Sequence, residues 1–218
     1  RQALNLAIDR QAIITNVVKG EQRVALAWVP PGLADAAPGS DFRSIGGDYF
    51  KDANIEAAKK LLTEAGYPDG KGLPTIELIY NTHDVHKAIA EAVQEMWRKN
   101  LGVNVRLANQ EWKVFINTRS KGAYQIARHG WIGDYADPMT FLDMFETGSG
   151  NNDSQYKNPR YDTLIRLAKS TGNQEIRMKA MHEAERLLME DAVIAPLYFY
   201  TRVTMLKPNV KGYHRSLL

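Results

Sequence analysis

Residues 75–107 read TIELIYNTHDVHKAIAEAVQEMWRKNLGVNVRL, and this stretch decides the fold class. Thr75 to Tyr80 alternate apolar and polar, the period of a strand with one buried face. Val85, Ile89, Ala92, Val93, Met96 and Trp97 then recur at helical spacing, with Lys87, Glu91, Glu95 and Arg98 on the opposite face. Leu101-Gly102 closes that helix, glycine being suited to a C-terminal cap. Val103 to Leu107 alternate again as a second strand. Strand, helix and strand in this order point to an α/β layer architecture.

Reading toward the C-terminus, Glu111 to Lys121 forms a short helix stopped by Gly122, and Tyr124 to Ile132 a third strand. Pro138 to Phe145 is a short helix with Asp137 as N-cap and Pro138 at the first helical position. A polar loop, Thr147 to Ser154, leads to helices over Tyr161–Ser170 and Gln174–Glu190. The second turns Ile176, Ala180, Met181, Ala184, Leu187 and Leu188 inward. Ile194 to Leu206, rich in β-branched and aromatic residues, reads as a last strand or hairpin arm. Toward the N-terminus, Asn54 to Ala65 is a helix ended by Gly66, and the turn-rich residues 30–50 form a long loop. Arg1 to Lys19-Gly20 reads as one helix, already in apolar rhythm and without an N-cap. An opening of this kind reads as a piece of something longer. No repeat or linker divides the chain, so one α/β unit is expected.

Composition narrows the function classes. With 218 residues, 44% hydrophobic and 24% charged, the chain has the make-up of a globular domain. No apolar run approaches the ~20 residues of a membrane helix. The absence of cysteine excludes disulfides, zinc–thiolate sites and cysteine nucleophiles. A net charge of +3, without a Lys/Arg-rich block interleaved with aromatics, gives no case for nucleic acid.

The informative residues are polar groups where the periodicity asks for apolar ones. Arg119 falls on the helix face of Trp112, Phe115 and Ile116. Either its stem snorkels to water or its guanidinium lines a cleft. Arg128 lies on the strand face of Tyr124 and Ile126, as a structural ion pair or as an anion anchor. In Gly130-Trp131-Ile132-Gly133-Asp134-Tyr135, two glycines permit close backbone approach and two aromatic rings flank a carboxylate. Asp134 is a turn residue or the receiver of a cation such as a primary ammonium; Asp137 already fills the capping role. His83 and His86 would meet on a helix, but no third metal ligand follows. His86 near a helix N-terminus suits a carboxylate better. No Walker loop, G-x-G-x-x-G, G-x-S-x-G or H-E-x-x-H is present, and no catalytic residue is legible.

The segments RQALNLAIDR (1–10), EAAKKLLTEAGY (56–67), WRKNLGVNV (97–105), NQEWK (109–113) and GWIGDYADP (130–138) together resemble the extracytoplasmic solute-binding proteins of peptide ABC importers. The resemblance is strongest to oligopeptide-binding and murein-peptide-binding members and runs over essentially the whole chain. It implies one lobe of a two-lobed, periplasmic-binding-protein-like α/β fold, a mixed sheet flanked by helices. Residues 1–218 would be the C-terminal lobe, with a preceding lobe and a final return segment lying outside them.

The resemblance also implies roles. Asp134 would receive a peptide's α-ammonium. Arg119, Arg128 and His86 would neutralise peptide C-termini of different lengths, and Trp112 and Trp131 would wall side-chain pockets. The backbone from Arg128 through Gly130, Trp131, Ile132 and Gly133 would pair with the peptide main chain. Lys19 stands one position from a lysine that contributes in some relatives, and Ile132-Gly133 replaces the pair expected beside the acid. The implied activity is peptide binding without chemistry, and the implied partner a membrane permease. The implied state is a cofactor-free, metal-free monomer in the periplasm, or anchored outside the cytoplasm as a lipoprotein. A peptide or murein-peptide sensor, or a binder of another small solute, is the alternative on the same scaffold.

Overall fold

The computed structural model describes residues 1–214. Its centre is the βαβ unit expected from residues 75–107. Strand β2 (Ile76–Asn81) is followed by α5 (Asp84–Leu101) and the parallel strand β3 (Val105–Gln110), with Ile76 opposite Val105 and Asn81 opposite Gln110. β3 begins and ends later than the alternation suggested. Gly102 caps α5 in the left-handed region at φ 65°. Helix α6 (Trp112–Ser120) then leads to β4 (Ile126–Ala127), parallel to the other edge of β2. The strand order is therefore β3-β2-β4.

This order has a consequence for function. The first crossover steps to one side of β2 and the second passes back across it. Right-handed crossovers in opposite directions put α5 and α6 on opposite faces of the sheet. Leu78 and Tyr80 accordingly join a core cluster with Ile89, Val93 and Trp97 of α5. Ile79 and Phe115, both fully buried, lie outside that cluster. Where the winding reverses, a crevice opens beyond the carboxyl ends of the strands, the usual place for a ligand in an α/β sheet.

A second cluster surrounds α8 (Pro159–Ser170) and α9 (Gln174–Glu190), with Tyr161, Ile165, Met181 and Leu188 fully buried. It also takes Phe42, Leu142 and Phe145, so it supports α7 (Met139–Leu142) and the 3-10 turn Asp143–Phe145 that continues it. Asp137 Oδ1 accepts the Met139 amide at 2.8 Å, the capping role expected of it, and its carboxylate also forms two 2.8 Å bonds with Arg177.

Several boundaries differ from the sequence reading. The first helix is broken: α1 (Gln2–Leu6) stops, Asp9 caps α2 (Arg10–Ala12), and a π-helical stretch runs from Ile13 to Val18. The break lets Arg10 turn inward, where its fully buried guanidinium meets Asp52 at 3.0 Å and the Pro196 carbonyl at 2.6 Å. Residues 30–50 contain α3 (Phe42–Gly46), capped by Asp41 and anchored by Phe42. The stretch Tyr124–Ile132 pairs only at Ile126–Ala127, with one further bond from the Arg128 amide to the Ile79 carbonyl (2.9 Å). β2 itself runs on to Asn81 in pairing with β3, so it is the 124–132 stretch that leaves the sheet after Arg128. Ile194–Leu206 pairs as β5 (Tyr198–Phe199), antiparallel to β1 (Arg23–Val24), with one further bond from the Ala25 amide to the Leu197 carbonyl (3.2 Å). Strands of both senses are thus present, divided between two sheets. Ile176 points to solvent at 47% exposure, because the buried stripe of α9 starts two residues later, about half a turn on, at Met178.

Lys19 ends the π-helical stretch in the left-handed region (φ 55°, ψ 33°), a conformation unfavourable to a residue with a Cβ. Lys19→Gly is expected to raise stability by roughly 1 kcal/mol or less. Urea unfolding checks this, and a loss of stability would contradict it.

Candidate functional site

Three elements end at the crevice, and each delivers residues singled out from the sequence. Thr82 to His86 follow β2, Trp112 follows β3, and Arg128 to Asp134 follow β4. Alternation along β4 sends Arg128 toward the α5 face and His129 toward the α6 face.

On the α5 side, His83 caps the helix, its Nδ1 accepting the Val85 amide at 3.2 Å. Its ring lies 4.5 Å from that of His86. His86 Nδ1 is buried without a hydrogen-bond partner, as are Asn81 Oδ1 and Gln110 Oε1 on neighbouring strand ends. Burial first, then the positive charges of Arg128 and His83, hold His86 down to about 4. Among the described residues no three His, Asp or Glu side chains gather as a metal site; His83 serves as the cap, and burial holds His86 toward its neutral form. A cleft of about 280 Å³ opens beside them, lined by Tyr80, Thr82, His83, Asp84, Lys87 and Asn109.

Arg128 has no carboxylate partner among the described residues. Among the described residues its guanidinium makes one hydrogen bond, to the Tyr200 hydroxyl at 2.5 Å. Tyr200, absent from the sequence reading, follows β5 and also borders a second hollow of about 190 Å³ with Glu21, Arg23, Pro30, Pro31 and Phe199. A Cβ at Gly130 would lie 2.7 Å from the Tyr200 hydroxyl, so glycine there lets Tyr200 reach Arg128.

The loop that follows is fixed from beneath. Trp131 Nε1 donates to the Thr140 carbonyl (2.8 Å), and the Asp134 amide donates to the Thr140 hydroxyl (3.0 Å). Gly133 packs so closely on α7 that a Cβ would stand 3.0–3.1 Å from Thr140 and the Phe141 ring. This arrangement leaves Asp134 and Ile132 exposed, Ile132 at 70%. The Asp134 carboxylate has no hydrogen bond or cation among the described residues. The capping alternative for Asp134 is thereby set aside, since Asp137 holds the helix.

On the α6 side, Trp112, Phe115 and Arg119 do share a face. Trp112 is half exposed and stacked 6.2 Å from Phe115, and the Arg119 guanidinium lies 5.5 Å from the Phe115 ring centre. Arg119 does not snorkel to water. It is largely buried and lies 2.5 Å from the carboxylate of Asp153, in the polar loop. His129, also unflagged by the sequence reading, stands 3.5 Å from the same carboxylate. Burial, then the Arg119 charge, hold His129 down to about 4 against the opposing pull of Asp153. Lys19 is exposed in its turn, and no contact among the described residues joins it to this cluster.

Both histidines have folded-state values below the ordinary 6.5, so between pH 6.5 and about 4 the unfolded chain binds more protons. Their contribution to stability is complete above pH 6.5 and declines as the pH falls toward 4. An NMR titration of the ring protons is expected to give midpoints near 4 for both; midpoints near 6.5 would contradict the burial described.

The family described as bacterial extracellular solute-binding proteins, family 5 Middle, matches residues 1–153. The chain is 41% identical over 217 residues to the oligopeptide-binding protein OppA of Bacillus subtilis, covering 97% of this chain and 39% of that protein. It is 41% identical over 216 residues to the periplasmic oligopeptide-binding protein OppA of Salmonella typhimurium, covering 98% and 38%. The chain therefore spans about two fifths of the length of these curated relatives. The crystal structure of Haemophilus influenzae OppA in complex with RPPGFSPFR superposes with a TM-score of 0.78 at 35% identity, over 91% of this chain and 39% of that one. A periplasmic oligopeptide-binding protein from Borrelia burgdorferi gives 0.79 at 36% identity, over 90% and 38%. With a fold of the periplasmic-binding-protein kind, and with these matches along its length, the chain belongs to the bacterial extracellular solute-binding proteins of family 5.

Proposed function

We propose that this chain is the C-terminal, ligand-reading lobe of an extracytoplasmic oligopeptide-binding protein that serves an ABC-type importer. One observation carries the reading: Arg128 and Asp134, on one loop at the strand ends, bear opposite charges that no side chain among the described residues neutralises. A zwitterion with an ammonium at one end and a carboxylate at the other complements that pair. A short peptide is such a molecule. The unpaired backbone from Gly130 to Gly133 offers it main-chain hydrogen bonds that do not depend on its sequence.

The neutral His86 adds a polar partner at the carboxylate end, and the orphaned Asn81 and Gln110 oxygens, being acceptors, reach a carboxylate only through a bridging water. Trp112, Trp131 and the exposed Ile132 supply apolar walls for side chains. Lys19 is assigned no more than a peripheral part.

The protein acts by binding alone, without catalysis or cofactor. A second lobe closes over the peptide, and the closed form, a monomer outside the cytoplasm, docks on a membrane permease. The names of the relatives support the peptide ligand. A murein peptide is the second reading, favoured by 39% identity to the periplasmic murein peptide-binding protein of Escherichia coli.

Native mass spectrometry of the full-length protein purified from its host tests the proposal. The expected result is a ladder of co-purified masses matching short peptides. A single non-peptide solute at full occupancy would overturn it.

A further inference from the structure

We propose that Asp153 is a specificity-determining residue of this site: by pairing with Arg119 it withdraws that guanidinium from carboxylate recognition and leaves Arg128 to receive the ligand's acidic end. The inference rests on the peptide-binding reading above.

The two arginines stand on opposite faces of one small sheet and differ in what balances them. Among the described residues Arg128 hydrogen-bonds only to a neutral hydroxyl, that of Tyr200 at 2.5 Å, and no carboxylate offsets it. Arg119 Nε lies 2.5 Å from Asp153 Oδ2, with side-chain exposures of 16% and 14%. The Nε–H is not aligned on the oxygen, so the contact is one of charge rather than a directed hydrogen bond. Coulomb attraction at such distance and shielding is several-fold stronger than in water.

Asp153 is no mobile counterion. Its carbonyl accepts the Tyr124 hydroxyl at 2.8 Å. The preceding Asn152 is buried and donates its amide to the Phe145, Glu146 and Tyr156 carbonyls. The loop therefore holds the carboxylate on the end of α6. His129, at 3.5 Å, is neutral near pH 7 and adds no charge. The Arg119–Asp153 pair on the α6 side thus sums to zero, while Arg128 on the other side has no carboxylate partner among the described residues. A ligand carboxylate would have to displace Asp153 to use Arg119, exchanging one ion pair for another with little net gain.

The experiment is calorimetry on the full-length protein with free-ended Ala-based tri- and tetrapeptides carrying one Glu, Gln or Lys at each position in turn. The wild type is expected to bind Glu and Gln variants within about threefold of each other at the position facing Arg119. In Asp153→Asn the freed guanidinium should favour Glu over Gln there by about tenfold or more, and adding Arg119→Gln should abolish that gain. Arg119→Gln alone reports on the same pair from the other side: it should leave binding of the all-Ala peptides within about threefold and introduce a preference for Lys. This second arm stands even where Asp153→Asn does not fold. Peptide binding with Glu, Gln and Lys ratios unmoved in both variants overturns the inference alone. A loss of all-Ala binding in Arg119→Gln by about a hundredfold does so too, since Arg119 would then be the carboxylate receiver. Failure of every peptide to bind the wild type would overturn the peptide reading itself.

Discussion

Asp134→Asn is expected to weaken binding of a free-ended tripeptide to the full-length protein by about thirtyfold or more, the equivalent of at least ~2 kcal/mol for one member of a desolvated charged contact. The substitution keeps the size and polarity of the side chain and removes only its charge. The Asp134 carboxylate bonds to nothing among the described residues, so the folded lobe should lose little stability. The loop conformation is set instead by the Asp134 amide on Thr140, by Trp131 on the Thr140 carbonyl and by the tight seat of Gly133. Asp137 is the control three residues on. Its carboxylate is spent on the Met139 amide and on Arg177, so Asp137→Asn should reduce stability and affect affinity only through it. Isothermal titration with both variants separates the two. Equal affinity of Asp134→Asn and wild type would remove the ammonium role from Asp134.

Glu185→Ala should be the most damaging single change to the fold, at about 3–5 kcal/mol, the usual cost of leaving a buried charge without its partner. Glu185 is fully buried in α9, and its Oε1 accepts three donors: the Trp28 amide (2.9 Å), the Val29 amide (2.7 Å) and Arg43 (2.6 Å). The Tyr49 hydroxyl adds a bond to Oε2 at 3.1 Å. Removing the carboxylate orphans a guanidinium and two backbone amides together. An apolar replacement of both Glu185 and Arg43 should not restore stability, because the two amides remain unpaired.

The same carboxylate reaches the site indirectly. It fixes the backbone of Trp28, whose indole donates to the Phe141 carbonyl at 2.5 Å, and the Phe141 ring is the surface on which Gly133 rests. Urea unfolding of the 1–218 chain measures the effect. A loss below about 1 kcal/mol would mean that relaxation supplies other partners.

How much of this was legible in the sequence follows from the range of the forces involved. The βαβ unit was legible because its signals are local: alternation at 75–80, the stripe on α5 and Gly102 at its end are all encoded within a few residues of where they act. Strand extent was not, because a strand needs a partner. Tyr124–Ile132 and Ile194–Leu206 have the composition of strands, but each keeps a ladder partner over only two residues, Ile126–Ala127 and Tyr198–Phe199. The break at Ala7–Asp9 was hidden for a related reason, since Arg10 finds its partners at Asp52 and Pro196, far along the chain.

The site divides in the same way. Arg119, Arg128 and Asp134 stood out because each interrupts a local pattern. Their differing fates depended on remote residues: Asp153 takes Arg119, Tyr200 touches Arg128, and nothing described takes Asp134. Asp153 sits in a polar loop where one more carboxylate carries no signal. Asn81 carries no signal of its own in the sequence, and only its burial without a partner marks it.

In the proposed mode of binding, two uncompensated charges on one loop receive the two ends of a peptide. Calorimetric titration of the full-length protein with one tripeptide in four forms (free, N-acetylated, C-amidated and doubly capped) tests it most directly. Each single cap is expected to weaken binding by about thirtyfold or more, and the double cap to abolish measurable binding. Binding of the doubly capped peptide as tightly as the free one would contradict the account.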